Sequence, residues 1–257
     1  IFEYLLIEPT LDLHPSRPVV IVIDALDECS WRGDNELCKL LQRMRGRIPA
    51  WMKFVMTSRD EADIRRYLSL MATSYTLSDT ETDDDLREDY RKQFPHAGED
   101  KIDVLVTKAE GSFLYASEIV KQIKEENLTL DDIHFFPVGI YGFFNDCFLR
   151  MFDSEAENEI TYDDVKPLLE FLCISQEPVD VDFLEEYLEL DEYRINQILA
   201  LISGMFPVRD RTIEPVHKSL VDWLTDSHDV GHIFYVSRKS GYKRLLAYIE
   251  GKYAGGK

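Results

Sequence analysis

Val19-Val20-Ile21-Val22-Ile23-Asp24-Ala25-Leu26-Asp27-Glu28 decides how the rest of the chain is read. Five β-branched residues in a row, none polar, suit a strand buried on both faces of a parallel sheet. Such a strand has no place for charge along its length, and the acids Asp24, Asp27 and Glu28 arrive only where the apolar run stops. In open α/β sheets the carboxyl ends of the strands are where ligands sit. Acids at that position can hold a hydrated cation and orient a water, whereas an ordinary polar turn needs neither.

The next apolar run is Lys53-Phe54-Val55-Met56-Thr57-Ser58-Arg59, a second short strand ending in polar residues. Between the two, Ser30 to Asp34 reads as a polar turn. Asn35 then caps a helix to about Arg45, with Leu37, Leu40, Leu41 and Met44 on its inner face. After the second strand, Asp60 can cap a helix from Glu61 to Met71, and Thr73 to Leu77 reads as a third strand. Strand, Asp-Ala-Leu-Asp-Glu-Cys, helix, then a strand ending in Thr-Ser-Arg resembles the NACHT-type module of the STAND class of signalling NTPases. The closest likeness is to the branch with ankyrin or WD repeats behind it. In that resemblance the first stretch is a Walker B element, and the Arg59 position is a sensor near the terminal phosphate. Read without the family, a strand-end arginine pairs with one of the neighbouring acids.

Composition sets limits. The chain has 257 residues, 45% hydrophobic and 12% aromatic, which is a globular balance. With 49 acidic against 29 basic side chains the formal charge is −20, which disfavours nucleic acid and anionic membranes as partners. No run has the length of a membrane span, and no basic-then-apolar leader opens the sequence. Cys29, Cys38, Cys147 and Cys173 lack Cys-x-x-Cys spacing and sit in apolar patterns, as reduced thiols of a cytoplasmic protein do. One motif is missing: no Gly-x-x-x-x-Gly-Lys-Ser/Thr phosphate loop occurs, and the final Gly-Gly-Lys has neither its spacing nor a following helix. The sequence therefore reads as the C-terminal part of a longer module, with residues 1–79 the second half of a P-loop NTPase core. Ile1 to Ile7 reads as the end of a helix.

Beyond Thr80 the pattern is helical. Thr82-Asp83-Asp84-Asp85 starts a helix where the macrodipole favours acids, and another spans Asp100 to Ala109. Gly111-Ser112-Phe113-Leu114-Tyr115-Ala116 and Phe136-Pro137-Val138-Gly139-Ile140 resemble two packing signatures of the family's helical subdomain, here 80–158. From 159 to 228 three helical patterns (Tyr162–Ile174, Val181–Leu188 and Glu192–Ser203) precede two short extended runs. A helix from His217 to Leu224 closes the set. This order describes a winged helix, and Asp180, Asp182, Glu185, Glu186, Glu189, Asp191 and Glu192 on its helices would repel DNA. Residues 229–257 read as a helical linker; in relatives a repeat array begins near there. The expected fold class is thus α/β followed by mostly α: a partial P-loop parallel sheet, a helical subdomain and a winged helix.

The resemblance implies roles. Asp24 holds Mg²⁺, Asp27 or Glu28 orients the hydrolytic water, Arg59 senses the γ-phosphate, and His217 reaches the β-phosphate of ADP in the closed state. Without the family, His217 is a cap or a packing residue. His228 and His232 lack a third ligand and do not read as a metal site. The implied cofactors are ATP/ADP and Mg²⁺. ATP hydrolysis is expected only of a longer chain carrying the phosphate loop, and this chain alone should not bind ATP usefully. Protein partners, through a downstream repeat array or by self-oligomerisation, are expected. The implied function is an ATP/ADP-dependent conformational switch in signalling, the alternative a nucleotide-independent interaction scaffold.

Overall fold

The computed structural model describes residues 8–10, 12–13, 15–31, 34–76, 79–152, 160–227 and 232–253. The protein is mixed α/β and mostly helical, and it divides into two compact units, Ile1–Leu77 and Ser78–Lys257. The helix expected over Ile1 to Ile7 lies outside the described residues.

In the first unit, strand β1 (Val19–Ile23) pairs in parallel with β4 (Met52–Met56), in a register that sets Ile21 beside Phe54 and Ile23 beside Met56. Between them come a 3-10 turn at Leu26–Cys29, a two-residue ladder of β2 (Ser30–Trp31) with β3 (Asp34–Asn35), and helix α1 (Glu36–Met44). Helix α2 (Ala62–Leu68) follows β4. Alternation decides which side chains pack. Ile21 and Phe54 join Met44 and Met52, while Ile23 and Met56 join Leu26, Cys38 and Leu68. The opposite face is open: Val20, Val22 and Val55 are 52%, 69% and 53% exposed. The strand expected to be buried on both faces is therefore partly covered on one, because α1 and α2 pack only on that side.

Asn35 caps α1 as expected, its side-chain oxygen accepting from the Cys38 amide. Asp60 does not cap α2. It pairs with Arg65, and Glu61 takes the cap position without a side-chain bond. The third strand is also corrected: residues 73–76 are not a strand, and Leu77 lies outside the described residues. Tyr75 is 91% exposed and has no layer to pack on, so alternation there has no face to bury.

The second unit is built on one continuous core. Helices α3 (Asp79–Gln93), α4 (Glu99–Ala109), α5 (Phe113–Lys124) and α6 (Gly139–Met151) come first. Both signature stretches act in packing. Ser112 caps α5, and the Phe136-Pro137 turn is held by Lys108 Nζ donating to the Phe136 carbonyl (2.5 Å) and the Tyr115 hydroxyl donating to that of Pro137 (2.6 Å). Gly139 has φ +66°, a left-handed conformation that glycine adopts without strain, and a side chain there would also displace the Glu110 carboxylate.

Then come α7 (Tyr162–Leu172), β5 (Val179–Asp180), α8 (Val181–Leu188), α9 (Glu192–Ile202), β6 (Val208–Arg209), β7 (Thr212–Ile213), α10 (Lys218–Leu224) and α11 (Arg238–Tyr253). The three strands form one antiparallel sheet in the order β5-β7-β6. Trp223 of α10 sits among Phe144 and Phe148 of α6, its ring 5.1 Å from that of Phe148. Phe234 and Val236 are buried ahead of α11, so the last helix starts later than its apolar pattern suggests. Among the described residues, no helix is long and apolar enough to cross a membrane.

Candidate functional site

The parallel pairing of β1 and β4 sets Asp24 at the end of one strand beside Thr57 at the end of the other. The Thr57 amide donates to the Ile23 carbonyl (3.0 Å), which continues the ladder one step past the strands. There the chain turns. Ala25 has φ +49°, a left-handed conformation that costs a residue with a Cβ about 1 kcal/mol. Three bonds hold the turn in place. The Thr57 hydroxyl donates to Asp24 Oδ1, the Ala25 amide donates to the Thr57 hydroxyl (2.9 Å), and the Leu26 amide donates to the Thr57 carbonyl (2.8 Å).

This turn carries Asp27 inward and leaves Glu28 outward. Asp27 is 4% exposed. Its Oδ1 accepts from the Arg59 amide and its Oδ2 from Arg59 Nε, both at 3.1 Å. Glu28 is exposed and bonds no other described side chain through its carboxylate. Asn35 fixes the turn from below. It donates to the Leu26 carbonyl (2.7 Å) while capping α1, so one buried amide links the acidic turn to the start of the helix. Cys38, beneath it, is buried. Burial, helped by the negative charge of Asp63, pushes its thiol up to about 11, which leaves it inert.

Asp24, Asp27, Glu28 and Arg59 thus lie at one end of the same two strands, in the first unit. His217 belongs to the second. It is the N-cap of α10: Nδ1 accepts from the Ser219 amide (3.1 Å) and lies 2.7 Å from the Ser219 hydroxyl. Because Nδ1 accepts, the proton of the neutral ring sits on Nε2, which can donate to an acceptor. His228 lies outside the described residues. His232 packs against the Trp223 ring at 4.5 Å in a tilted arrangement and its Nε2 lies 2.8 Å from the Trp223 carbonyl, so it is a packing residue.

Two roles in the site were not read from the sequence, although Asn35 was expected to cap α1 and Thr57 to close the second strand. Thr57 carries the junction of the strands, and Asn35 carries the link to α1. The polar Thr57-Ser58 closing an apolar run was the available signal for the first. Nothing local could signal the second, since the Leu26 carbonyl is reached only in the folded unit.

As to fit, Mg²⁺ takes one or two carboxylates and fills the rest of its octahedron with water and phosphate oxygens. Asp24 has one oxygen engaged by Thr57 and one left to give, which suits that chemistry. The amide cradle for phosphates is not supplied by these residues.

Residues 2–59 match the family model described as Nephrocystin 3, N-terminal, so this stretch is similar to that domain. No curated protein matches the chain.

Proposed function

We propose that the chain is part of a NACHT-type STAND protein, an ATP/ADP-dependent conformational switch in which 1–79 is the second half of a P-loop NTPase core. The observation that carries this is the junction of Asp24 with Thr57 at the carboxyl ends of two parallel strands, where open α/β sheets place ligands. The match to the Nephrocystin 3 N-terminal model, a NACHT-containing family, spans that junction through Arg59 and supports the reading. For the second unit, three helices, a small antiparallel sheet and α10 in the order α7-β5-α8-α9-β6-β7-α10 support a winged helix. In this reading its role is regulatory, because its helices are acidic.

The roles are those the resemblance implies. Asp24 would hold Mg²⁺, which supplies charge neutralisation at the phosphates when bound. Of the two acids that could orient water, Asp27 is buried and accepts from the Arg59 backbone amide whereas Glu28 is exposed, so Glu28 is taken as the base. Arg59 must then leave Asp27, at least in part, to reach a γ-phosphate. His217 Nε2–H would donate to the β-phosphate of ADP. Titration of ATP and ADP with Mg²⁺ into the full-length protein tests this. Glu28→Gln should abolish turnover and keep binding, and Asp24→Ala should abolish Mg²⁺-dependent binding. A full-length protein that binds neither nucleotide would refute the reading.

The nucleotide-independent scaffold is the second reading, and the Arg59–Asp27 pair favours it. An arginine spent on a buried carboxylate is a structural element without any nucleotide.

A further inference from the structure

Helix α11 is apolar on two faces, and among the described residues of its unit only one of them is covered. Its inner face lies on α7 and α8. Arg244 reaches the buried Glu170 of α7 at 3.3 Å, and the Tyr248 hydroxyl and Lys252 both donate to Glu186 of α8 (2.9 and 2.6 Å). Gly241 lets the backbones close up: a Cβ there would stand 2.3 Å from the Glu170 carbonyl. The Tyr248 ring meets Tyr187 edge-on at 5.3 Å.

The outer face carries Tyr242, Leu246, Ile249 and Tyr253, which are 46%, 56%, 42% and 71% exposed. Their spacing of four, three and four residues is a heptad seam, the pattern of a helix that packs on another helix. A seam this long left in water marks an interaction site. Its flank says which partner fits. Lys243 and Glu250 lie seven residues apart beside the seam, on the same side of it, and neither bonds another described residue. In an antiparallel helix pair, equal flanks face each other. A second α11 running the opposite way, with Leu246 set against Ile249 of the other copy and Tyr242 against Tyr253, would bring Lys243 towards Glu250 on both sides of the two-fold axis. The flank is therefore complementary to itself in that orientation.

We propose that α11 is a self-association surface, on which two copies of this chain pair through an antiparallel, two-fold α11–α11 contact. The seam is four apolar residues long on each copy, below the roughly 1,000 Å² of a stable interface, so the dimer is weak and forms in the micromolar range or above. This inference does not rest on the nucleotide reading, since every residue in it belongs to the second unit.

Sedimentation velocity of the 257-residue chain across the micromolar range tests it. The expected result is a concentration-dependent monomer–dimer equilibrium. Leu246→Glu, a change at an exposed position that leaves the inner face intact, should weaken it roughly a hundredfold, since both copies lose a buried leucine and gain a buried charge. Lys243→Glu and Glu250→Lys should each weaken the dimer about fivefold by setting like charges together twice. Mixing these two variants should restore it, because every cross-pair is then of opposite sign. A chain that stays monomeric throughout, or association unmoved by Leu246→Glu, overturns the proposal. So does a mixture no tighter than its components, which would exclude the antiparallel pairing.

Discussion

Asp27 holds Arg59 twice, once through its backbone amide and once through Nε, both at 3.1 Å, with the carboxylate almost wholly buried. The two bonds tie the acidic turn after β1 to the segment after β4, so the ends of the two strands are locked side by side. A buried carboxylate is costly unless its oxygens are engaged, and here Arg59 engages both. Glu28, one residue on, bears no such duty.

The two acids should therefore separate in a stability measurement. Asp27→Ala is expected to destabilise the first unit by about 2 kcal/mol, since it removes a charge-assisted pair and strips the Arg59 amide of its acceptor. Glu28→Ala should change stability by less than about 0.5 kcal/mol, the ordinary range for an exposed position. Urea unfolding of the two variants, followed by amide exchange in residues 15–76, measures the difference. Equal effects would mean that Asp27 is not the structural acid.

Ala25 offers a test of the opposite sign. Its φ of +49° is unfavourable for alanine and free for glycine. The fold keeps it there because Thr57 supplies the acceptor for its amide. Ala25→Gly should raise the stability of the first unit by roughly 0.5 kcal/mol, the relief of backbone strain partly offset by the greater freedom of the unfolded chain. Thr57→Val should lower it by about 1 kcal/mol, and Thr57→Ser, which keeps the hydroxyl, should recover most of the loss. Thermal unfolding of the three variants decides.

Much of this was legible in the residues, and the parts that were not share a cause. Unbroken apolar runs located β1 and β4, and periodicity located most of the helices, because each helix has an inner face to bury and its spacing records that face. It failed where burial depends on a neighbour. Val20 and Val22 read as core because they are apolar, yet no described layer covers them. Thr73 to Leu77 alternates like a strand, but residues 73–76 have no partner strand among the described residues. At the site, residue types pointed to the acids and to Arg59, while the bonds that divide their labour, from Thr57 to Asp24 and from Arg59 to Asp27, join residues over thirty positions apart.

The cysteines should react in a fixed order. Burial pushes Cys38 up to about 11 and Cys173 up to about 12, whereas Cys29 is exposed. At pH 8 the thiolate fraction of a group with pKa near 11 is roughly one in a thousand, and the thiolate is the nucleophile. Alkylation at that pH should modify Cys29 well before Cys38 or Cys173. Raising the pH towards 10 should speed the buried pair about tenfold per unit wherever the fold still admits the reagent. Peptide mass spectrometry over a time course checks this. Early labelling of Cys38 would show that the first unit opens readily.

The sheet itself should be the weakest structure in the chain. Two strands give each of β1 and β4 only one neighbour among the described residues, so each strand has an outer edge with no strand on it. One face is packed by α1 and α2, and the other shows Val20, Val22 and Val55 to solvent. Small two-stranded sheets are marginal in water, and bare apolar edges invite pairing with other chains. The second unit, by contrast, buries Phe143, Phe144, Phe148 and Trp223 in one core. Amides of Val19–Ile23 and Met52–Met56 should therefore exchange well before those of α5, α6 and α7 in the same sample. Val22→Thr with Val55→Thr, which keeps β-branching on the open face, should leave that protection unchanged while suppressing any association through the sheet. Association that survives this pair of changes and is lost with Leu246→Glu belongs to α11. Protection across β1 and β4 equal to that of α6, in a sample shown to be monomeric, would mean that the two strands and their helices make a complete unit, and that the open face needs no covering layer.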